Sequence, residues 1–243
     1  MTENDATNGP GADIQPDAAD RAAIARALGS DATGLAEAPP FRDSVFLNVP
    51  FDKKYEPLFV ALVTGLVALR RRPRCVLEVP DAGAGRLARI LELMRSCAAS
   101  AHDLSRVTTS GPAGKRVPRF NMPFELGLAC ALSHGEGGKH SFVLLEEQPY
   151  RLQRSLSDLS GVDPYVHRGT PRGVLSVLSD WLGTHAHDPT PRRMERLFEI
   201  VHTRAKQMKR ELDQPTVFTP ALFRRTTLVA MAVARNMQIT APR

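Results

Sequence analysis

From residue 44 onward, short apolar runs alternate with longer segments whose apolar residues recur every three or four positions. The short runs are typical of buried strands, and the longer segments are typical of helices with one buried face. The predicted strands are Ser44–Val49, Arg74–Val79, Ala99–Leu104, Ser141–Glu146 and Val162–His167. The predicted helices are Lys54–Leu69, Arg86–Cys97, Phe124–Leu132, Pro149–Leu159 and Pro171–Leu182.

This alternation favours parallel strands joined by right-handed crossovers. Five such units predict an α/β fold with a flavodoxin-like five-stranded parallel sheet of strand order 2-1-3-4-5. The predicted α/β domain spans residues 41–185.

Two further helical segments follow a linker at Ala186–Pro191 and predict a C-terminal helical hairpin over residues 190–243. Both begin with Thr-Pro, a helix N-cap residue followed by Pro at the first helical position. The apolar face of the hairpin needs a partner, which is either the α/β domain or a second subunit. Because the linker is short, the sequence favours docking on the hairpin's own domain. A contribution to a homo-oligomer interface stays open beside it.

Residues 1–40 are rich in Ala, Asp, Gly and Pro, and they hold seven acidic and two basic residues. Such a segment cannot bury enough apolar surface to offset the entropy of ordering it. We expect a disordered acidic tail that the fold does not need, with at most a short helix around Asp17–Leu28.

The composition argues against several classes of protein. No stretch approaches the roughly 18 apolar residues of a membrane span, and the N-terminus lacks the basic and apolar regions of a signal peptide. The three cysteines are widely spaced, which argues against a disulfide framework or a zinc site. We therefore expect a cytoplasmic protein with no membrane partner.

The net charge is +6, and residues 41–243 carry 30 Lys and Arg against 19 Asp and Glu. A basic body favours anionic ligands such as phosphates, although a solvated basic surface explains the same excess. Residues 191–243 hold 11 basic and four acidic residues without a pattern of interleaved aromatics. Nucleic acid is therefore not favoured as a partner.

Polar residues follow the first and third predicted strands, where ligands bind in open parallel sheets because the strand order reverses there. Asn48 and Asp52 are candidates to bind sugar hydroxyls, and their alternative roles are to cap a turn and a helix. Asp103 is a candidate ribose ligand, and its alternative is an Asx turn with the backbone of Ser105. His102 is expected to point to the opposite face of the sheet and to be structural.

The segment after the third strand adds Glu125 as a candidate. Asn121 or Met122 is predicted to begin a helix, and Glu125 is placed in its first turn, where the helix dipole stabilises a carboxylate. Gly127 and Ala129 suggest that this helix lies close to a neighbouring element, which would place Glu125 at the floor of the crevice. Asn121 is a further candidate ligand-binding residue.

The run Asp81–Gly85 and Arg86 follow the second strand and open a helix. Free backbone N–H groups there attract anions, and Arg86 is a candidate to bind a phosphate. The run lacks the Lys-Ser/Thr ending of a P-loop, and a plain turn is an equal alternative. His134 and His140 lack the spacing of metal ligands, so we predict no metal and no cofactor.

Three segments together resemble a known group of proteins. The segments Val45–Asp52, Ala101–Asp103 and Phe124–Ala129 are similar to those of nucleoside 2-deoxyribosyltransferases and of related bacterial proteins that are like Toll/interleukin-1 receptor (TIR) domains. The resemblance covers about residues 44–182. It implies that Glu125 attacks or electrostatically stabilises the anomeric carbon of a nucleoside or NAD, and that Asp103 orients the sugar or base. It also implies an NAD-depleting role in antiphage defence and association into oligomers.

The chemistry agrees with this resemblance, because cleavage of an N-glycosidic bond passes through an oxocarbenium-like centre. One carboxylate can stabilise that centre or form a bond to it. Two non-catalytic functions stay open: a nucleotide-binding sensor that signals through the C-terminal helices, and a TIR-like assembly module. Turnover of NAD separates catalysis from both.

Overall fold

The computed structural model describes residues 25, 43–78, 85–107, 120–135, 140–151, 156, 161–183 and 188–239. Within these residues the chain forms a five-stranded parallel sheet in the order β2-β1-β3-β4-β5, which confirms the predicted α/β, flavodoxin-like topology. The strands are β1 Asp43–Asn48, β2 Arg71–Cys75, β3 Ala99–Asp103, β4 Ser141–Glu146 and β5 Tyr165–Val166.

Helices cover both faces of the sheet. In the described part of the chain they are α1 Glu56–Ala68, α2 Arg86–Arg95, α3 Asn121–His134, α4 Pro171–Leu182, α5 Pro191–Glu211 and α6 Pro220–Asn236. Val45 and Leu47 of β1 pack into the core that contains α1, α4, α5 and α6. Phe46 of the same strand packs on the opposite face, against α2 and α3. Successive side chains of a strand alternate between faces, so each polar residue at a strand end belongs to only one of these two cores.

The second strand lies three residues earlier than the prediction of Arg74–Val79. It pairs with β1 from Arg71 onward, and Arg71 forms an ion pair with Asp43. A 3₁₀ turn follows, in which the Glu78 carboxylate accepts from the Arg74 side chain and the Cys75 N–H. Pro73 is tolerated within β2 because β2 is an edge strand.

The predicted helix Pro149–Leu159 does not begin where the sequence suggested. Pro149 and Tyr150 form a turn, and Tyr150 has a φ of 61°, which a helix cannot accommodate. The rest of that segment lies outside the described residues except for Arg151 and Leu156. The fifth strand is also shorter than predicted, since only Tyr165 and Val166 pair with β4.

Helix α1 is enclosed on all sides, whereas its periodicity predicted one apolar face. Every residue from Leu58 to Ala68 is buried. Helix α4 packs beside α1, while α5 and α6 pack on its outer side. A helix that is apolar all round needs such a second layer. The C-terminal hairpin therefore docks on its own α/β domain, as the short linker had predicted.

A polar contact also fixes the hairpin to α1. The ammonium of Lys209 in α5 lies 2.7 Å from the Glu56 carboxylate at the start of α1. The same carboxylate accepts from the backbone N–H of Val217, in the turn between α5 and α6, at 3.3 Å. Both helices of the hairpin begin after a Thr N-cap residue with Pro in the first turn, as predicted.

The expected disordered tail over residues 1–40 and the short helix around Asp17–Leu28 fall outside the described residues, except for one residue. Ala25 is helical and half-buried, and it is the one described residue of the 1–42 segment. No described helix is both long enough and apolar enough to cross a membrane.

Removing a buried side chain from the hairpin should destabilise the whole domain. Leu197 in α5 is fully buried in the core shared with α1. We expect Leu197→Ala to lower the free energy of unfolding by about 2–5 kcal/mol, because a cavity adds to the lost burial. The exposed Thr203→Ala on the same helix is the control, with an expected change within about 0.5 kcal/mol. Urea unfolding measures both, and equal losses would contradict docking of the hairpin on α1.

Candidate functional site

Asn48 joins the end of β1 to the first turn of α3. Its Nδ2 donates to the Met122 carbonyl at 2.9 Å and to Nδ1 of His102 at 3.0 Å. Asn48 and His102 are cross-strand neighbours in the β1–β3 register, so both point to the face covered by α2 and α3. Glu125 follows Met122 by three residues in α3, so this bond attaches Asn48 to the turn of the helix that precedes Glu125.

Asp103 points to the other face of the sheet and is fully buried. Its carboxylate accepts hydrogen bonds from the Tyr55 hydroxyl, from the Ser105 N–H at 2.9 Å and from His167 Nε2 at 3.0 Å. The bond from Ser105 is the Asx turn that the sequence offered as the alternative role. Asp103 therefore does not share the face of Asn48, and a direct ligand contact by Asp103 stays a prediction that this geometry does not favour.

The surroundings of Asp103 keep its carboxylate ionised. Burial alone would raise the pKa of Asp103, but the hydrogen bond from His167, with the bonds from Ser105 and Tyr55, holds that pKa below its ordinary value. Burial and then the Asp103 charge raise the pKa of Tyr55 well above its usual range. The group locks the end of β3 to the N-terminus of α1 and to the residue after β5.

This buried group is not a Ser-His-Asp relay. Nδ1 of His167 accepts from the Gly169 N–H at 3.0 Å, so the ring hydrogen lies on Nε2. Asp103 and the Ser105 hydroxyl, at 3.0 and 3.1 Å, both approach that same Nε2. A catalytic triad needs the serine and the aspartate on opposite ring nitrogens.

Glu125 lies in the second turn of α3, so its expected position in the first turn is wrong. The helix begins at Asn121, which makes Glu125 its fifth residue. The helix dipole acts mainly within the first turn and therefore adds little at this position. Burial instead raises the pKa of Glu125 from its ordinary 4.5 to about 7, against a smaller lowering by the Arg86 charge. At neutral pH this carboxyl group is present in both protonation states.

Arg86 and Asn121 flank Glu125. Arg86 is the first residue of α2 and follows Gly85, whose φ of 109° is in the left-handed region. The charge of Arg86 acts on Glu125 from this helix terminus. Asn121 is exposed and lies one turn before Glu125 on the same side of α3. Residues 79–84, which contain most of the expected anion-binding run, lie outside the described residues.

Asp52 does not cap the first helix, the alternative role that the sequence offered, because the N-cap residue of α1 is Tyr55, whose side chain makes no capping hydrogen bond. Oδ1 of Asp52 accepts from the backbone N–H groups of Lys54 and Tyr55, each at 3.1 Å. These bonds shape the turn that leads from β1 into α1.

The expected close approach along α3 occurs at Ala129 and not at Gly127. Ala129 is fully buried against Phe46 of β1 and Met94 of α2. Gly127 is exposed, and no described atom lies within 4 Å of the position that a Cβ would take there.

The candidate site is therefore the region beyond the end of β1, beside the N-terminal turns of α2 and α3. We name it the β1 crevice and define it by Asn48, Arg86, Asn121 and Glu125. Two aromatic residues near Asn121 and Glu125 in the sequence are exposed: Phe120, just before α3, at 70% and Phe124, within α3, at 53%. Among the described residues, no group of three or more His, Cys, Asp or Glu side chains is arranged to hold a metal ion.

Comparison with known proteins gives no matching family model, no matching curated protein and no matching solved structure. The resemblance inferred from the sequence segments stays a prediction, and the geometry of the β1 crevice is what a functional proposal must rest on.

Removing the Tyr55 hydroxyl should destabilise the fold, because Asp103 would lose one of its hydrogen-bond donors. Hydrogen bonds to charged groups contribute about 1.5–3 kcal/mol, so we expect Tyr55→Phe to lower the unfolding free energy by that amount. Tyr150→Phe is the matched control, since Tyr150 is 78% exposed. Urea unfolding at neutral pH compares the two, and equal stability would mean that the Tyr55–Asp103 bond does not contribute.

The buried His102 should make the protein sensitive to acid. Burial lowers its pKa from 6.5 to about 3, so the unfolded chain binds this proton more readily than the folded one. The stabilisation from the neutral ring is complete above pH 6.5 and is lost as the pH falls toward 3, by about 1.4 kcal/mol per unit. We expect His102→Gln to reduce the slope of unfolding free energy against pH between about 4 and 6 by roughly one proton. An unchanged slope in the folded variant would show that His102 titrates normally.

Proposed function

We propose that the protein cleaves or transfers at the N-glycosidic bond of NAD or of a nucleoside or nucleotide. The observation that carries this proposal is the Glu125 carboxyl group, whose pKa burial raises to about 7, beside the Arg86 charge at the edge where the strand order reverses. Open parallel sheets bind their ligands at such an edge.

A carboxyl group with a pKa near 7 suits both halves of this reaction. Protonated, it can donate to the nitrogen of a leaving base as the glycosidic bond breaks. Ionised, it can stabilise the oxocarbenium-like sugar or form a covalent bond to its anomeric carbon. Water or a second base then takes the sugar, which gives hydrolysis or transfer.

The neighbours of Glu125 supply the binding functions that such a substrate requires. Arg86 begins a helix, where a positive side chain and the helix dipole together favour a phosphate group. Asn48 and Asn121 offer amide groups for the hydroxyls of a ribose. A phosphorylated substrate such as NAD or a nucleotide therefore fits the β1 crevice better than a free base does.

A second candidate function is nucleotide binding without turnover. Asp103, the residue expected to orient the sugar, is occupied by Tyr55, Ser105 and His167 on the opposite face of the sheet. This leaves Glu125 as the one acidic member of the β1 crevice as defined by the described residues. A sensor needs no second carboxylate, and the depletion of NAD in antiphage defence requires turnover.

Release of a free base by the purified chain tests the proposal directly. NAD, adenosine and 2′-deoxyadenosine are each incubated with the protein, and nicotinamide or adenine is measured by mass spectrometry. We expect Glu125→Gln to reduce the release about 100- to 1000-fold, the usual loss for one electrostatic stabiliser. Glu199→Gln, an exposed position on α5, is the matched control and should keep full activity. Equal turnover by folded Glu125→Gln would remove Glu125 from the mechanism, whereas saturable binding of NAD without base release would select the sensor.

The pH dependence of turnover should reveal which protonation state of Glu125 acts. Nicotinamide leaves NAD as a neutral molecule and needs no proton, so an ionised Glu125 is required and the rate should rise through about pH 7. Adenine leaves adenosine with a negative charge unless it is protonated, so a protonated Glu125 should help and the rate should fall through the same pH. Measurement of kcat/KM as a function of pH for NAD and for adenosine tests both expectations. A profile that is flat around pH 7 for both substrates would contradict a titrating Glu125.

A further inference from the structure

A chain of hydrogen bonds runs behind the β1 crevice, between the sheet and helices α2 and α3. The Asn48 amide lies 3.0 Å from Nδ1 of His102, and Nε2 of His102 lies 2.8 Å from the Ser100 hydroxyl. That hydroxyl lies 2.9 Å from Nε2 of His140, and Nδ1 of His140 lies 3.0 Å from the Cys97 carbonyl. All four side chains are buried.

The Cys97 end of the chain fixes the direction of each bond. A carbonyl only accepts, so Nδ1 of His140 carries a hydrogen and Nε2 of the neutral ring accepts from the Ser100 hydroxyl. The Ser100 oxygen then accepts from Nε2–H of His102, which leaves Nδ1 of His102 to accept from the Asn48 amide. Burial lowers the pKa of His102 to about 3 and lowers that of His140 as well, so both rings are neutral near pH 7, as this arrangement requires.

The other end of the chain sets the same orientation of Asn48 independently. The second hydrogen of its amide reaches the Met122 carbonyl at 2.9 Å, and a flipped amide would place two oxygens against each other there. Both amide hydrogens are thus used, and no described residue bonds to Oδ1. Asn48 is 5% exposed at the end of β1, and Oδ1 is the one acceptor atom of its side chain.

We infer that His102, Ser100 and His140 are positioning residues that hold Asn48 with Oδ1 presented to the β1 crevice, where it accepts a hydrogen bond from a hydroxyl or amino group of the ligand. The ligand class, a nucleoside or a molecule that contains one, rests on the proposed function. The orientation of Asn48 does not. A site whose acceptor is held in one orientation discriminates strongly against analogues that lack the matching donor, because the acceptor is then left unpaired.

The tautomers of the two rings test the orientation without any ligand. Long-range ¹H–¹⁵N spectra of ¹⁵N-histidine-labelled protein near neutral pH distinguish Nδ1–H from Nε2–H rings, and His102→Gln and His140→Gln assign the signals. We expect the Nε2–H tautomer for His102 and the Nδ1–H tautomer for His140. An Nδ1–H or doubly protonated His102 would turn the amide of Asn48 around and overturn the inference.

A matched pair of substitutions tests the positioning role in binding. In His102→Asn the new oxygen takes the place of Nδ1 and can still accept from Asn48, whereas His102→Gln reaches Ser100 but loses that acceptor. We expect His102→Gln to raise KM for adenosine or NAD about tenfold, the effect of one misplaced hydrogen bond, with kcat changed less than about twofold. His102→Asn should recover most of this loss. Equal KM values for the two variants, both folded, would contradict the positioning role.

Analogues that each lack one donor identify the group that Asn48 accepts from. Adenosine is compared with 2′-deoxyadenosine, 3′-deoxyadenosine and purine riboside, which lacks the amino group, by calorimetric affinity for the wild-type protein and for Asn48→Ala. We expect one analogue to bind the wild-type protein about tenfold more weakly than adenosine does. The same analogue should bind Asn48→Ala with the same affinity as adenosine. The same loss in both proteins for every analogue would overturn the acceptor role while leaving the proposed function intact. Absence of binding and turnover for all four compounds and NAD would instead remove the proposed function, and the tautomers would still decide the orientation.

Discussion

Polar side chains at the carboxyl ends of β1 and β3 lie in the buried interior, where each must find a hydrogen-bond partner. The pleat of the strands divides them between the two faces of the sheet. Asn48 and His102 are satisfied on the side of α2 and α3, whereas Asp103 is satisfied by Tyr55 and His167 on the side of α1. Together with the bond from Asn48 to the Met122 carbonyl, these bonds tie α1, α3 and the end of the last strand to one edge of the sheet. Because Asp103 is bonded on the other face, Glu125 is the acidic residue among those that define the β1 crevice. The hydrogen bonds that satisfy the strand ends therefore also determine which carboxyl group the site contains.

The enclosure of α1 makes that edge stiff. Its N-terminus carries Tyr55 and the turn shaped by the Asp52 bonds, and its whole length lies between the sheet with α4 and the C-terminal hairpin. The Lys209–Glu56 pair anchors the hairpin at the same end of α1 that contacts Asp103 through Tyr55. Packing of the hairpin and the geometry at the carboxyl edge are therefore connected through one rigid helix, which favours a preformed site.

The strand order could be predicted from sequence because it depends on local signals. Alternating strand and helix patterns predict a parallel sheet, and its topology places β1 and β3 together. The position of β2 was missed because its paired residues are mostly arginines beside Pro73, which an edge strand tolerates. Asp103 was expected to face the crevice, because a strand becomes a loop there, and His102 was expected to point away. The structure reverses the two: His102 shares the face of Asn48, and Asp103 lies on the other face with Tyr55 and His167. Tyr55, His140 and His167 are far from Asp103 and His102 along the chain, so only the folded structure brings these groups together.

The central claim is that burial tunes Glu125 for chemistry at neutral pH, and its titration can be measured without knowing the substrate. The ¹³C signal of the Glu125 side-chain carboxyl group, assigned by its loss in Glu125→Gln, should titrate with a midpoint near 7. In Arg86→Ala the midpoint should move higher, since the Arg86 charge favours the ionised form. A midpoint near the ordinary value of 4.5, unchanged by Arg86→Ala, would contradict the account of the β1 crevice given above.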